Sequence, residues 1–136
     1  MSQGDQKVSL RVLIVEDTEE RQKILISLYR GHAWVLATTG PRAVSLLNAY
    51  DFDIISLDYN LRGGWTGADV AQAIAASRNK NTRVVIHSMN PKGALGIAQF
   101  LPEAIQFPVS KMVRSNRGFK SLRDKIDKLG AAHDWK

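Results

Sequence analysis

The sequence predicts an α/β fold in which one parallel sheet of five strands is covered by helices on both faces. Strand-like and helix-like segments alternate five times along 136 residues. The strand-like segments are short apolar runs, as expected for strands buried on both faces. A (βα)5 order of this kind builds a doubly wound sheet with right-handed crossovers. The length of the chain indicates a single domain.

The strands are predicted at residues 12–15, 34–37, 54–57, 84–86 and 104–109. The run at residues 12–15 is continuously apolar, as expected for a strand covered on both faces. Pro108 lacks the backbone N–H that an inner strand needs, so the fifth strand is expected at an edge.

Helix-start signals follow the first four strands, because capping residues and prolines precede the helical patterns. These residues are Thr18, Pro41, Thr66 and Asn90. The fourth helix contains Gly93 and Gly96, each of which costs about 0.5–1 kcal/mol in a helix interior. We therefore expect it to be the most mobile helix. A single last helix is predicted, and its apolar face consists of Phe119, Leu122, Ile126 and Leu129.

The domain is predicted to span residues 10–130, with tails at residues 1–9 and 131–136. The chain has no cysteine, which excludes disulfides and fits a cytoplasmic location. No apolar run approaches the roughly 20 residues that span a membrane.

The net charge of +6 is concentrated near the C-terminus, where residues 111–136 hold eight Lys/Arg and three Asp/Glu. This basic helix is either a solvated face or a docking surface for an acidic protein, a nucleic acid or an anionic membrane.

Polar residues follow four of the predicted strands. Because the carboxyl ends of parallel strands meet at one edge of a sheet, these side chains are expected to converge there. Carboxylate oxygens can hold Mg²⁺, and the whole set can hold a phosphoryl group beside it. The residues are Glu16, Asp17, Asp58, Ser88 and Lys111.

This order of motifs resembles the receiver domain of two-component response regulators, which has a flavodoxin-like fold. The resemblance implies that Asp58 accepts a phosphoryl group, that Ser88 binds a phosphoryl oxygen and that Lys111 neutralises its charge. It also implies a magnesium site. Its ligands would be Glu16, Asp17, Asp58 and the backbone carbonyl of Asn60. The partners implied are a histidine kinase or phosphotransfer protein as phosphodonor and a separate output protein.

The region around Lys111 departs from that family's pattern. The lysine of the family is followed by proline, whereas Met112 follows Lys111 here. Lys111 also comes one residue late relative to Ser88. Either the fifth strand carries a bulge, or Lys111 is not the phosphate lysine.

A second resemblance is narrower. The stretches at residues 55–61 and 86–91 are similar to the branch called cyclic-phosphate processing receivers, which implies action on cyclic phosphate ends or nucleotides. A histidine such as His87 can act as a general acid there. Strand alternation favours the opposite interpretation, because it turns His87 away from the Ser88 side. Trp65, on a glycine-rich loop beside the pocket, either stacks on a base, gates access to the pocket or packs on the adjacent helix.

Overall fold

A computed structural model describes residues 9–114 and 116–131 of the chain. Its five strands form one parallel sheet in the order β2-β1-β3-β4-β5. The strands are β1 (Arg11–Val15), β2 (Ala33–Ala37), β3 (Ile54–Leu57), β4 (Arg83–Ile86) and β5 (Ile105–Gln106). This confirms the predicted doubly wound α/β fold.

The helices of the described residues alternate with the strands and cover both faces of the sheet. They are α1 (Glu19–Leu28), α2 (Gly40–Ala49), α3 (Gly67–Ala75), α4 (Pro91–Phe100), α5 (Val109–Arg114) and α6 (Asn116–Ala131). None of them is long and apolar enough to cross a membrane.

The core lies in two layers, one on each face of the sheet. Leu13 and Ile55 pack in the layer that contains buried residues of α2, α3 and α4. Ile14 and Ile54 pack in the opposite layer, which contains buried residues of α1, α5 and α6. Neighbouring residues of one strand enter different layers because side chains alternate across the sheet. Burial on both faces accounts for the unbroken apolar runs.

The first four helices begin where the sequence predicts, and three of them have a side-chain cap. Asn90 accepts a hydrogen bond from the Gly93 N–H at 3.0 Å, and a threonine caps each of α2 and α3 through its side chain. Thr18 lies at the N-cap of α1 but makes no side-chain cap. Its hydroxyl instead accepts from Arg21 Nη2 at 2.8 Å, so the prediction that Thr18 caps this helix is wrong.

The C-terminal region differs from the prediction. The fifth strand lies at an edge, as Pro108 indicates, but it covers only two residues instead of 104–109. Val109 begins α5, so Lys111 lies on a short helix and does not follow a strand. Two helices, α5 and α6, replace the single last helix. The predicted tails at 1–9 and 131–136 lie mostly outside the described residues, although Ala131 belongs to α6.

Candidate functional site

Three polar residues directly follow β1, β3 and β4 at the carboxyl edge of the sheet. They are Glu16, Asp58 and His87, and their side chains are buried. The parallel ladder continues through their backbones. The Asp58 N–H donates to the Val15 carbonyl and the His87 N–H donates to the Leu57 carbonyl, each at 3.1 Å. This rigid placement brings one potential ligand atom of each residue within 4.8 Å of the other two.

Glu16 is held by partners at both carboxylate oxygens. Oε1 lies 2.9 Å from His87 Nε2 and 3.1 Å from Arg21 Nε. Oε2 accepts from Arg21 Nη2 at 3.2 Å and from the Thr18 N–H at 3.0 Å. Burial alone would raise the pKa of Glu16, but the hydrogen bonds from His87 and Arg21 lower it to about 2. Glu16 is therefore an ionised, fixed carboxylate at neutral pH.

His87 is buried between Glu16 and Ser56. Its Nδ1 lies 2.9 Å from Ser56 Oγ, while its Nε2 faces the Glu16 carboxylate. An ionised carboxylate only accepts hydrogen bonds, so we infer that Nε2 carries the proton of the bond to Glu16, while Nδ1 shares a second hydrogen bond with the Ser56 hydroxyl. Both ring nitrogens are thus engaged, and the side chain has 0% exposure.

The ring of His87 therefore lies on the Ser56 side of the sheet, as strand alternation predicts. Behind Ser56 lies Tyr29, whose side chain is completely buried. Burial raises the pKa of Tyr29 to about 12, with only a partial offset from Ser56. Within the described residues the Tyr29 hydroxyl has no hydrogen bond of normal geometry. A buried row of polar side chains thus extends from Tyr29 through Ser56 and His87 to the acidic edge, which is the carboxyl edge of the sheet where Glu16 and Asp58 lie.

Asp58 differs from Glu16 because its only ion pair in the described part of the chain is a long one. Arg21 Nη2 lies 3.4 Å from Asp58 Oδ2. Burial raises the pKa of Asp58, and the negative charge of Glu16 raises it further. The negative charge of ionised Asp58 is therefore only partly neutralised by its neighbours. Such a carboxylate can bind a cation or a cationic partner.

Asp17 is the more accessible of the two adjacent acids. Its side chain is 17% exposed, and Arg62 Nε lies 3.9 Å from its Oδ2. Asn60 is exposed and pairs with Thr66 across the loop that follows β3. Carboxylates of Asp17 and Asp58 with the carbonyl of Asn60 are an oxygen-only donor set, which fits Mg²⁺. Glu16 is less free to bind a cation, because both of its oxygens already accept hydrogen bonds.

The structure does not bring all the predicted residues together. The Ser88 side chain is buried, and its hydroxyl accepts from the Asn90 N–H at 3.0 Å, as a turn serine would. Lys111 is exposed on α5, and within the described residues its ammonium forms no ion pair. Arg21, which the sequence analysis did not single out, is the cation that contacts Asp58.

Two small residues allow the loop after β3 to approach closely. A Cβ on Gly67 would collide with the backbone carbonyl of Asp58, and one on Gly93 would collide with the Tyr59 ring. The Gly67 N–H donates to the Tyr59 carbonyl at 2.6 Å. These contacts hold the start of α3 and the start of α4 against the segment that follows Asp58.

Solved structures share this fold. The phosphorylated cyanobacterial phytochrome response regulator RcpA is 19% identical, with a TM-score of 0.72, and the alignment covers 92% of this chain and 96% of RcpA. TrrA from Thermotoga maritima in complex with Mg(2+)-BeF is 21% identical, with a TM-score of 0.66 and coverage of 88% and 98%. The magnesium-bound receiver domain of the sensor histidine kinase PA1611 from Pseudomonas aeruginosa PAO1 is 18% identical, with a TM-score of 0.62 and coverage of 86% and 99%.

The sheet order and these likenesses show that the chain has the fold of receiver domains. The family is narrower. This chain belongs to the cyclic-phosphate processing receiver domains, whose family model matches residues 11–103. Both resemblances stated from the sequence are thereby confirmed. No curated protein matches the chain. The family match ends before Lys111, in the region where the sequence departs from the usual receiver pattern.

Proposed function

We propose that this chain accepts a phosphoryl group on Asp58 in a reaction assisted by Mg²⁺. The observation that carries the proposal is the environment of Asp58. This carboxylate is buried at the end of a central strand, only partly neutralised, and contacted by the guanidinium of Arg21 at 3.4 Å. Such a group gains more from a nearby cation and a phosphoryl ligand than an already satisfied carboxylate would.

The chemistry follows from the placement of the residues. An oxygen of Asp58 attacks the phosphorus of a phosphodonor, the new O–P bond forms, and the leaving oxygen departs with the electrons of the old P–O bond. Mg²⁺ held by Asp17, Asp58 and Asn60 would neutralise the charge shared by the carboxylate and the phosphoryl group. Arg21 supplies a fixed positive charge on the other side, and the Ser88 hydroxyl is a candidate donor to a phosphoryl oxygen.

Glu16 and His87 have a supporting role in this proposal. Glu16 fixes the Arg21 guanidinium through two hydrogen bonds. His87 in turn fixes Glu16 from the other side. A guanidinium locked in this way keeps its orientation when the charge on Asp58 changes, which is the preorganisation that phosphoryl transfer uses.

The experiment is incubation with acetyl phosphate and Mg²⁺, followed by intact mass measurement. We expect one added phosphoryl mass that is removed by hydroxylamine, as an acyl phosphate should be. Asp58→Asn should show no adduct. An adduct that survives in Asp58→Asn would place the acceptor elsewhere. No adduct, under conditions that modify an ordinary receiver domain, would refute phosphoacceptance.

In the cell, the phosphodonor would be a histidine kinase or a phosphotransfer protein in the cytoplasm. The signal would pass to a separate output protein through the surface formed by α4, β5 and α5. Four exposed apolar side chains lie in these elements: Leu95, Phe100, Ile105 and Val113. Binding of an output protein would cover some of this area.

The family match favours a second function, binding or processing of cyclic phosphates at the same edge. The geometry revises the role of His87 in it. A ring that is completely buried, with both nitrogens engaged, does not deliver a proton to a leaving oxygen. If 2′,3′-cyclic phosphates are opened here, His87→Gln should retain activity, because glutamine can still donate to Glu16. Loss of all activity in a correctly folded His87→Gln variant would restore His87 as the acid.

A further inference from the structure

A groove runs between α2 and α3, beside the loop that follows β3. Its volume is about 600 Å³, which is within the usual size range for sites that bind small ligands. The residues that matter in it are Val44, Gly63, Gly64, Trp65, Asp69 and Gln72. The groove is separate from the buried acidic residues but adjoins them through the loop.

Trp65 is the fixed aromatic wall of this groove. Its ring rests against Gly40 at the start of α2, where a Cβ would overlap the indole. Trp65 also packs against the core layer next to α2 and α3. A half-buried indole held in this way loses little entropy when a ligand stacks on it. Base–aromatic stacking uses such platforms and tolerates different bases.

Two polar side chains one helical turn apart on α3 can form hydrogen bonds with the edge of a ligand in the groove. Asp69 Oδ2 accepts from the Thr66 N–H at 2.8 Å and from the Thr66 hydroxyl at 3.2 Å, which orients the carboxylate and leaves Oδ1 available. Gln72 is exposed and offers both a donor and an acceptor. The opposite wall is apolar at Val44. An aromatic wall, an apolar wall and a polar rim suit a flat heterocycle with hydrogen-bonding edges.

The loop joins the groove to the acidic edge. Arg62 faces Asp17 across 3.9 Å and has a side chain that is 72% exposed. Trp65 follows three residues later, and three residues span at most about 10 Å. Gly63 and Gly64 both adopt positive φ, 77° and 79°, which other residues adopt rarely. Because of this backbone turn, Arg62 lies beside Asp17 at the acidic edge while Trp65, in the same short loop, lines the groove.

We propose that the groove is a nucleobase subsite, which binds the base of a nucleotide whose phosphate lies at Asp17, Arg62 and Asp58. This inference rests on the second function above, a cyclic phosphate bound at that edge, and it adds the class of ligand: a nucleoside phosphate, not a sugar phosphate alone. The base stacks on Trp65 and is contacted at its edge by Asp69 and Gln72.

The probe is adenosine 2′,3′-cyclic phosphate in the presence of Mg²⁺, with ribose 5-phosphate as the ligand that lacks a base. The chain has three tryptophans, so Trp34→Phe with Trp135→Phe leaves Trp65 as the only tryptophan. We expect the nucleotide to quench this fluorescence with saturation. Ribose 5-phosphate should bind more weakly and leave the emission almost unchanged.

Variants of the parent chain then locate the contact, with affinity measured by isothermal titration calorimetry because the Trp65 variants lack the fluorescent reporter. Trp65→Leu should weaken nucleotide binding roughly 5- to 100-fold, the equivalent of one base–aromatic stack, and Trp65→Phe should recover part of it. Gln72→Ala changes an exposed side chain and should not affect folding, but it should also weaken binding of the nucleotide. None of these variants should change phosphorylation of Asp58. Trp34→Leu is the matched control on the far edge strand β2.

Equal binding of adenosine 2′,3′-cyclic phosphate and ribose 5-phosphate would overturn the subsite while leaving a phosphate site at the acidic edge intact. Unchanged nucleotide affinity in both Trp65→Leu and Gln72→Ala would overturn it as well. Binding of neither ligand would refute the cyclic-phosphate function together with the subsite. The acetyl phosphate experiment would still report separately on Asp58.

Discussion

His87 Nε2 lies 2.9 Å from Glu16 Oε1, although β4 and β1 are not neighbours and β3 runs between them. The two side chains meet across the end of β3, where Asp58 begins the loop. Because both side chains are buried and in contact, they form a fixed layer beside Asp58 on one side of the acidic edge. Asp58 therefore stands beside a fixed anion, and this relationship underlies the first two predictions.

His87→Ala should destabilise the fold, whereas His87→Gln should be much milder. Alanine leaves the buried Ser56 hydroxyl without its His87 partner, at a cost of about 1–3 kcal/mol. It also removes the His87 hydrogen bond to the buried Glu16 carboxylate, which retains those from Arg21 and the Thr18 N–H. Glutamine keeps a donor for Glu16. The free energy of unfolding in urea measures the difference. If alanine and glutamine cost the same, hydrogen bonding to Glu16 is not what His87 contributes.

Glu16 should make the fold sensitive to acid in a defined window. Burial alone would raise the pKa of Glu16, but His87 and Arg21 lower it from 4.5 to about 2 in the folded protein. A lowered carboxyl pKa adds stability that is complete above the unfolded value and is lost as pH falls toward the folded value. The contribution is roughly 3 kcal/mol at neutral pH.

The stability difference between the parent and Glu16→Gln should therefore be largest above about pH 5 and shrink between pH 4.5 and 2. Asp58 acts in the opposite direction, because burial and Glu16 raise its pKa and its ionisation costs stability as pH rises. Both proteins should thus carry Asp58→Asn, which removes that contribution. A difference that stays constant from pH 6 to pH 3 would show that the charge of Glu16 is not stabilising.

Mg²⁺ should raise the melting temperature through Asp17. A cation that binds only the folded protein stabilises it by about 1.4 kcal/mol at ten times its Kd. Asp17→Asn removes one of the accessible carboxylates and should lose most of this response. Glu20→Gln, an exposed change on α1, is the control and should retain it. Equal shifts in parent and Asp17→Asn would exclude Asp17 as a ligand.

The central strands were predictable because continuous apolar runs leave few alternatives to a strand buried on both faces. The fifth strand was overestimated because it pairs on one side only, and Ile105 remains 54% exposed. An apolar sequence there fits an exposed edge and a short helix equally well. The division of the last helix into α5 and α6 was not predicted, because it falls between Arg114 and Asn116 in a polar stretch with no proline to mark a break.

The acidic edge was predictable in position but not in its connections. Parallel strands bring their ends together, so Glu16, Asp58 and His87 could be placed near one another from order alone. Arg21 was missed because its contact depends on the rotation of α1 about its own axis. Ser56 gave a usable signal, since it is the polar residue in an otherwise apolar strand and a buried hydroxyl requires a partner.

Gly67 and Gly96 should respond in opposite directions to alanine. At Gly67 the new Cβ would collide with the Asp58 carbonyl, and overpacking of this kind costs about 1–3 kcal/mol. At Gly96 it would meet Tyr59 Cε1 at 3.8 Å and Ala68 Cβ at 3.9 Å, which are ordinary contacts. Gly96→Ala should therefore stabilise α4 by about 0.5–1 kcal/mol.

Thermal or urea unfolding of the two glycine variants checks this pair. Intact mass measurement of the Gly96→Ala variant after incubation with acetyl phosphate would show whether a stiffer α4 alters phosphorylation of Asp58. The geometry does not require such an effect. A stable Gly67→Ala protein with normal Asp58 chemistry would mean that the loop after β3 moves freely away from α3.

The last prediction concerns the basic helix α6, which should make a salt-sensitive contact with single-stranded RNA. Lys120, Lys125 and Lys128 are exposed on it. Arg123 is not free in the same way. Its Nη1 approaches the Ser27 carbonyl at 3.5 Å, and its Nε lies 3.9 Å from Asp127 Oδ2. Charge reversal at Arg123 would therefore disturb the packing of α6 on α1, and the test should leave it unchanged.

Lys125→Glu with Lys128→Glu should weaken RNA binding and flatten its dependence on salt. Each phosphate contact contributes about −0.7 to the slope of log affinity against log salt for single strands, so losing two contacts should reduce the slope by about 1.4. Lys80→Glu, an exposed change in the turn between α3 and β4, is the matched control. An acidic peptide tested in parallel distinguishes a protein partner from RNA. Binding of RNA that ignores both salt and the double reversal would leave α6 as a solvated face, because screened ionic contacts cannot be insensitive to either.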